Sequence, residues 1–225
     1  MASPLSMQDL FDIANLLHAE KFSQSSPFDY LGKKLSVWLN DLLDSLNVGD
    51  TPCIRGDVSP LAHVVGRVYV APGAVVEPYA MITGPCYIGP ESEVRHAAYI
   101  RGNVYVGKDC VVGHTTEVKG SLFLDGAKAG HFAYVGDSIL GRNTNLGAGT
   151  KLANLKFRGD EVLYKSLHDQ SRQGSGLRKL GALMGDDSQT GCNAVLDPGS
   201  ILCRSTVVMS SVHFRGTLLK GIALK

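Results

Sequence analysis

Arg101 and Lys119 each stand one place after a large aliphatic residue, Ile100 and Val118. Two cations held one above the other repel unless an anion or an acid lies between them. If the chain winds back on itself at this interval, the pair fits a phosphate clamp, and it also fits two solvated side chains that splay apart. His131 lies in the segment KAGHFAYVGD with Tyr134 and Asp137. Histidine is the natural general base near neutral pH, although a single histidine is also a common surface residue. His96 and His114 share the interval of Arg101 and Lys119, a stacking that raises a zinc or iron site or two solvated corner histidines. Asn145 and Asn154 are polar residues near interruptions of the pattern described next, and asparagine is common in turns.

The elements that must position these residues follow one rule. Positions 58, 64, 70, 76, 82, 88, 94, 100, 106, 112, 118 and 124 are all Val, Ile or Leu. Four residues after each of the first ten comes Ala, Val, Cys, Ser or Thr. A period of six with one large and one small apolar position is neither a helix nor a hairpin; it is the hexapeptide β-helix signature. The large residue fills the core from a short strand, and the small one sits at a corner. Three hexads make one triangular coil of about 18 residues, so residues one coil apart should stack on one face. Arg101 and Lys119 are such a pair, and so are His96 and His114. Known examples of this coil are left-handed, so a mainly β, left-handed parallel β-helix is expected over residues 51–213.

The register breaks after Leu124 and resumes at Leu140 and Leu146, which reads as an insertion of four residues. A second break, 154–179, is polar and rich in Gly and Ser, and reads as an excursion loop. The repeat returns with Met184, Thr190, Leu196, Leu202 and Val208, and residues 214–225 read as a tail over the last coil. A solenoid needs no excursions to fold, so such breaks point to function. Residues 1–50 differ. Leu10, Ile13, Ala14 and Leu17 predict a helix over 7–21 capped by Ser6, and a second helix carries Leu35, Trp38, Leu39 and Leu42. This helical hairpin is expected to pack on the next domain or on another subunit.

Composition is that of an ordinary globular protein: 44% hydrophobic, 19% charged, formal net charge +1. No basic run or RNA-binding signature occurs, so no nucleic-acid partner is expected. No apolar stretch is long enough for a membrane span, and the first residues lack the basic start of a leader. The five cysteines are odd in number and have no CxxC spacing; Cys86 and Cys110 fall on small inward positions and read as core thiols in a reducing cytosol. A cytoplasmic protein is expected.

The stretch KAGHFAYVGDSILGRNTNLGAGTKLAN resembles the acetyltransferase domain of the bifunctional glucosamine-1-phosphate acetyltransferase / N-acetylglucosamine-1-phosphate uridyltransferase. It is similar, too, to the C-terminal domains of archaeal sugar-1-phosphate nucleotidylyltransferases. The resemblance covers residues 55–213, and its diagnostic part is 101–187. It implies His131 as catalytic base, with Asn154 helping to position the amine or the base. It implies Arg101 and Lys119 as a sugar-phosphate-binding pair, with Tyr134, Asn145 and Lys179 as further substrate contacts. Ala148 lies where the acetyl-CoA site begins, and Cys192 and Ser210 stand where the family has small residues near acetyl-CoA. Leu155 replaces a frequent tyrosine, and the excursion over 155–178 is longer than in the bifunctional enzyme. No Gly-rich pyrophosphorylase loop occurs, so no uridyltransferase activity is expected. The metal-binding β-helical carbonic anhydrases resemble a pattern with two histidines five residues apart, which this chain lacks, so no metal is expected.

What the resemblance implies is an acyltransferase of nucleotide-sugar metabolism. It would use acetyl-CoA as co-substrate to acetylate the amine of a glucosamine or galactosamine 1-phosphate, and it would assemble as a homotrimer with sites between subunits. Two other readings are a non-catalytic sugar-phosphate-binding or assembly protein, and an acyltransferase acting on a nucleotide-linked sugar.

Overall fold

The computed structural model describes residues 5–23 and 25–224. Short parallel strands stack into three faces, of nine, nine and eight strands, joined coil after coil. The first face carries Val68–Val70, Cys86–Ile88, Val104–Val106 and Ser121–Phe123; the second carries Glu93–Val94, Val111–His114, Lys128–His131 and Asn145–Leu146; the third carries Tyr99–Ile100, Glu117–Lys119, Tyr134–Gly136 and Lys151–Leu152. This is the expected left-handed parallel β-helix.

The large and small positions both point inward. Val70, Val76, Ile82, Ile88, Val94, Ile100, Val106, Val112 and Val118 are buried with Ala74, Ala80, Cys86, Ala98 and Cys110 in one continuous core. Cys86 and Cys110 are free, fully buried thiols, and burial pushes the Cys110 thiol up to about 12. The corners bend through the left-handed backbone region at Glu91, Ala97, Asn103, Asp109 and Thr115, which recur with the period of the repeat. Each such residue costs about 1–2 kcal/mol, which the core burial of the flanking strands offsets.

The first interruption is not an insertion. Val104 pairs with Cys86 one full coil before it, but the strand that pairs with it on the other side begins at Ser121, one residue short of a full coil. The next coil, from Leu122 to Ile139, is one residue short as well. One side of each of these coils therefore has five residues instead of six. The core position after Val118 is Phe123, not Leu124, and the series runs on through Ala129, Val135, Leu140, Leu146 and Leu152. Leu124 points outward into a second cluster. Both short sides turn the corner from the third face to the first. The excursion leaves from the same corner, between Lys151–Leu152 and Ala182–Met184, and carries an antiparallel hairpin, Leu163–Lys165 with Arg172–Gly174. The segment read as a tail adds a tighter coil: Thr217–Leu218 pairs with Ile201–Leu202, and Ile222–Ala223 with Val207–Val208.

The N-terminal segment covers the first face. Tyr69, Tyr87 and Tyr105 stack there with ring centroids 5.5 and 5.2 Å apart. Phe11, Leu35, Leu39, Leu42 and Trp38 pack with these tyrosines, Leu122 and Ile139. The second helix forms over Gly32–Ser45. The predicted helix over 7–21 does not: only Met7–Leu10 is α-helical, followed by short 3-10 turns at Ile13–Asn15 and Ala19–Lys21. The β-helix supplies the reason. Asp186 accepts the Asp12 N–H at 2.6 Å and Asp125 accepts the Leu17 N–H at 2.8 Å, so these donors bind corner carboxylates instead of helical carbonyls. Among the described residues, no helix is long and apolar enough to cross a membrane.

Candidate active site

The corner that carries both five-residue sides and the excursion holds a polar cluster. Lys119 ends the strand Glu117–Lys119, and Asp137 follows Tyr134–Gly136 one coil on. The Lys119 ammonium donates to both Asp137 carboxylate oxygens, at 3.1 and 2.9 Å. Asn154 donates its side-chain amide to the same carboxylate and accepts from the Tyr134 hydroxyl at 3.4 Å. Asp137 is buried, its side chain 8% exposed. Burial, followed by the charges of Glu117 and Asp137, raises the Tyr134 phenol above its ordinary range. Gly136 makes the cluster possible. A Cβ there would fall 2.7 Å from both the Asn154 amide nitrogen and the Tyr134 hydroxyl.

Arg101 lies one coil below Lys119. The two cations do not face each other unpartnered: Arg101 pairs with Glu117 at 2.7 Å, as Lys119 pairs with Asp137. The guanidinium also lies 5.8 Å from the centre of the Tyr99 ring. Lys179 is exposed where the excursion returns, its backbone bridged to Leu155. Leu180 donates to the Asn154 carbonyl at 3.0 Å and Gly181 to the Asp137 carbonyl at 2.8 Å, so the returning chain is fixed to the cluster.

His131 sits at the other end of the same strand run, at the corner between the second and third faces. It is exposed, and no hydrogen bond to its ring is formed among the described residues. The stretch from His131 to Gly136 spans on the order of 10–16 Å when extended. His131 is the middle of a column. Phe132 donates to the His114 carbonyl, Gly149 to that of His131, Asn193 to that of Ala148, and Ser211 to that of Cys192. His114, His131, Ala148, Cys192 and Ser210 therefore follow one another along a single edge, about 4.8 Å per coil. Above His131 the column itself carries small side chains, with Cys192 and Ser210 exposed, and the Phe132 ring leans beside it against Gly149. Below it, His96 and His114 stack with ring centroids 5.0 Å apart and Nδ1 atoms 3.1 Å apart. Asn145 is not beside Tyr134 or Asn154. It points out from the second face, between Lys128 and Gln189.

One chain thus joins Lys119, Tyr134 and Asn154, places Arg101 and Lys179 next to them, and strings His131, Ala148, Cys192 and Ser210 on the far edge of the same face. The carboxylates of Asp137 and Glu117 organise the cluster, and sequence reasoning assigned them no role. An 18-residue count from Lys119 reaches Asp137, but the coil here is one residue short and Gly136 is the residue that stacks on Lys119; Asp137 meets the ammonium from the next position, which the repeat alone does not give.

Residues 82–168 match the family model described as the GMPPB C-terminal domain. The chain is 44% identical over 78 residues, 35% of its length, to the bifunctional sugar-1-phosphate nucleotidylyltransferase/acetyltransferase of Sulfurisphaera tokodaii. It is 38% identical, again over 78 residues and 35% of its length, to the bifunctional protein GlmU of Methanocaldococcus jannaschii. These matches span only 19% and 18% of those two proteins. Among solved structures, the polysialic acid O-acetyltransferase OatWY aligns over 76% of this chain and 80% of its own, with 12% identity and a TM-score of 0.34.

Proposed function

We propose that this chain is an acetyl-CoA-dependent N-acetyltransferase acting on an amino-sugar 1-phosphate of the glucosamine or galactosamine type. The observation that carries the reading is one outer face with two chemically different ends. A histidine with an uncommitted ring stands at one end; a preorganised set of two cations, an amide and a phenol stands at the other. The similarity to proteins named as sugar-1-phosphate nucleotidylyltransferase/acetyltransferase and GlmU supports it.

Arg101, Lys119 and Lys179 hold the sugar phosphate, for which Glu117 and Asp137 keep the first two cations extended and in place. Tyr134 and Asn154 orient the sugar. The amine nitrogen attacks the thioester carbonyl, the carbon–sulfur bond breaks, and His131 takes the proton that the amine gives up. The column of Ala148, Cys192 and Ser210 fits acetyl-CoA because its own side chains are small, with the exposed Phe132 ring flanking it at the level of Gly149.

The reading includes a homotrimer. The edge that carries His131 is convex, so a single chain offers an outer rim rather than a pocket, and Asn145 lies around that rim on the second face. A second copy laid against the third face closes a cleft and brings in its own second-face residues. The first face is covered by the N-terminal segment, whereas Val75, Tyr79, Met81, Tyr99 and Phe132 are exposed along the other two faces and their shared edge. We place the protein in the cytoplasm, in keeping with five free cysteines.

The test is thiol release from acetyl-CoA with glucosamine 1-phosphate and galactosamine 1-phosphate as acceptors. Saturable turnover with one of them is expected. Turnover with neither, in a protein that binds sugar phosphate but not acetyl-CoA, would mark a binding protein instead.

A further inference from the structure

The excursion encloses a cavity of about 680 Å³ that the acetyl-transfer reading does not use. It lies at the same corner as the polar cluster, farther along the β-helix. Lys119, Gly136, Ala153, Asp197 and Arg215 follow one another coil by coil. Ala153, at the cavity's lower lip, is thus two coils from Lys119, about 10 Å.

The lining combines cations with apolar side chains. Lys165 and Arg172 stand directly opposite each other across the hairpin, and Arg215 approaches from the adjacent coil. Like charges in a cross-strand pair destabilise a hairpin unless an anion lies between them. None of these three makes an ion pair among the described residues. The same lining holds three apolar side chains left open to solvent: Leu163 at 43%, on the same strand face as Lys165, Leu155 at 49%, and Phe157 fully exposed. The hairpin is fixed in place rather than loosely appended. Thr217 donates to the Lys165 carbonyl at 2.6 Å, and Gly199 admits the Leu163 carbonyl so closely that a Cβ would fall 2.5 Å from it.

A recess with three cations that lack ion-pair partners, beside an exposed aromatic ring and two leucines, matches one ligand chemistry: a flat base joined to phosphates; the one carboxylate in the lining, Asp197, is taken by His213 at 2.8 Å. We infer that this cavity binds the nucleoside diphosphate part of a ligand, with phosphates on Lys165, Arg172 and Arg215 and the base against Phe157, Leu155 and Leu163. Two ligands carry such a group, a nucleotide-linked sugar and the coenzyme. The distance to Lys119 suits a nucleotide-linked amino sugar as the acceptor in place of a free sugar 1-phosphate, with its sugar at the polar cluster. That placement rests on the acetyl-transfer reading; the binding itself does not.

The experiment is calorimetric titration of the full chain with uridine diphosphate, adenosine 3′,5′-bisphosphate and inorganic pyrophosphate. At least one nucleotide should bind about tenfold or more tightly than pyrophosphate. Arg172→Glu should weaken that nucleotide about tenfold or more, since it replaces a charge-assisted contact with a repulsion. Phe157→Ala should remove most of the nucleotide's advantage and leave pyrophosphate unchanged. Both side chains are exposed, and matching melting temperatures establish that the variants fold. Preference for uridine diphosphate assigns the cavity to a nucleotide-linked acceptor; preference for the bisphosphate assigns it to the coenzyme. Pyrophosphate binding as well as either nucleotide, or unchanged binding in Arg172→Glu, overturns the inference. His131→Ala separates the two proposals: it should lower turnover about 10²–10⁴-fold and leave nucleotide affinity as it was.

Discussion

Asp137 receives the Lys119 ammonium on both carboxylate oxygens, at 3.1 and 2.9 Å, across one turn of the β-helix. The same carboxylate takes the Asn154 amide. One buried acid thereby ties three successive coils together at the corner where the coil length changes. Asp137→Ala leaves an ammonium and an amide facing each other without an acceptor. We expect a loss of about 1–3 kcal/mol, because the Lys119 side chain is 23% exposed and water recovers part of the interaction. Urea unfolding of wild type and variant measures it. Asp137→Asn should recover part of the loss, since it keeps one acceptor for Lys119.

Gly136 is the space that the cluster needs. Gly136→Ala places a methyl group 2.7 Å from both the Tyr134 hydroxyl and the Asn154 amide nitrogen. These atoms must move apart, at about 1–3 kcal/mol. If the cluster orients the sugar, KM for the sugar phosphate should rise about tenfold or more while affinity for acetyl-CoA is unchanged. A variant with wild-type KM would show that the Tyr134–Asn154 contact plays no part in substrate binding.

Docking of the N-terminal segment should depend on pH through His18. Its Nε2 lies 3.1 Å from the Tyr87 hydroxyl, and burial lowers its folded pKa below 6.5. Below about pH 6.5 the unfolded segment therefore binds a proton that the docked segment rejects. Stability falls as pH drops from 6.5 toward the folded value and is flat above. Trp38, the single tryptophan, packs 5.3 Å from Tyr105 and reports docking by fluorescence. Its thermal transition should move down between pH 7.5 and 5.5, and the shift should shrink in His18→Gln.

Leu39→Ala tests how much the covered face depends on this segment. Leu39 is fully buried, and its truncation should cost about 2–5 kcal/mol. The Trp38 signal should be lost at lower temperature than in wild type. An unchanged transition would mean that the segment contributes nothing to the covered face.

The repeat was legible because each hexad must bury a large and a small residue, and a pattern of that strength admits one fold. Its failures are equally physical. Phe123 and Leu124 are both apolar, and counting by six selects Leu124; only the outer cluster, which needs Leu124, shows that the side is one residue short. Ala129 fills a large position with a small side chain, so the true register looked like a gap. The segment over 7–21 has helical spacing, but Asp125 and Asp186 compete for its N–H groups, and they come from far along the chain. Lys119 stood out by its spacing from Arg101, and Tyr134 and Asn154 through the family resemblance. Their joining through Asp137, and the cavity under the excursion hairpin, depend on where the long step between Ile139 and Leu183 places its chain.

The central claim is that His131 takes the amine proton during acetyl transfer. Its ring is exposed and makes no hydrogen bond among the described residues, so His131→Ala should leave the fold and the melting temperature unchanged. The decisive measurement is kcat/KM for acetyl-CoA-dependent acetylation of the preferred amino-sugar phosphate in wild type and His131→Ala. A fall of about 10²–10⁴-fold in kcat with little change in KM is expected. Equal rates in the two proteins would contradict it.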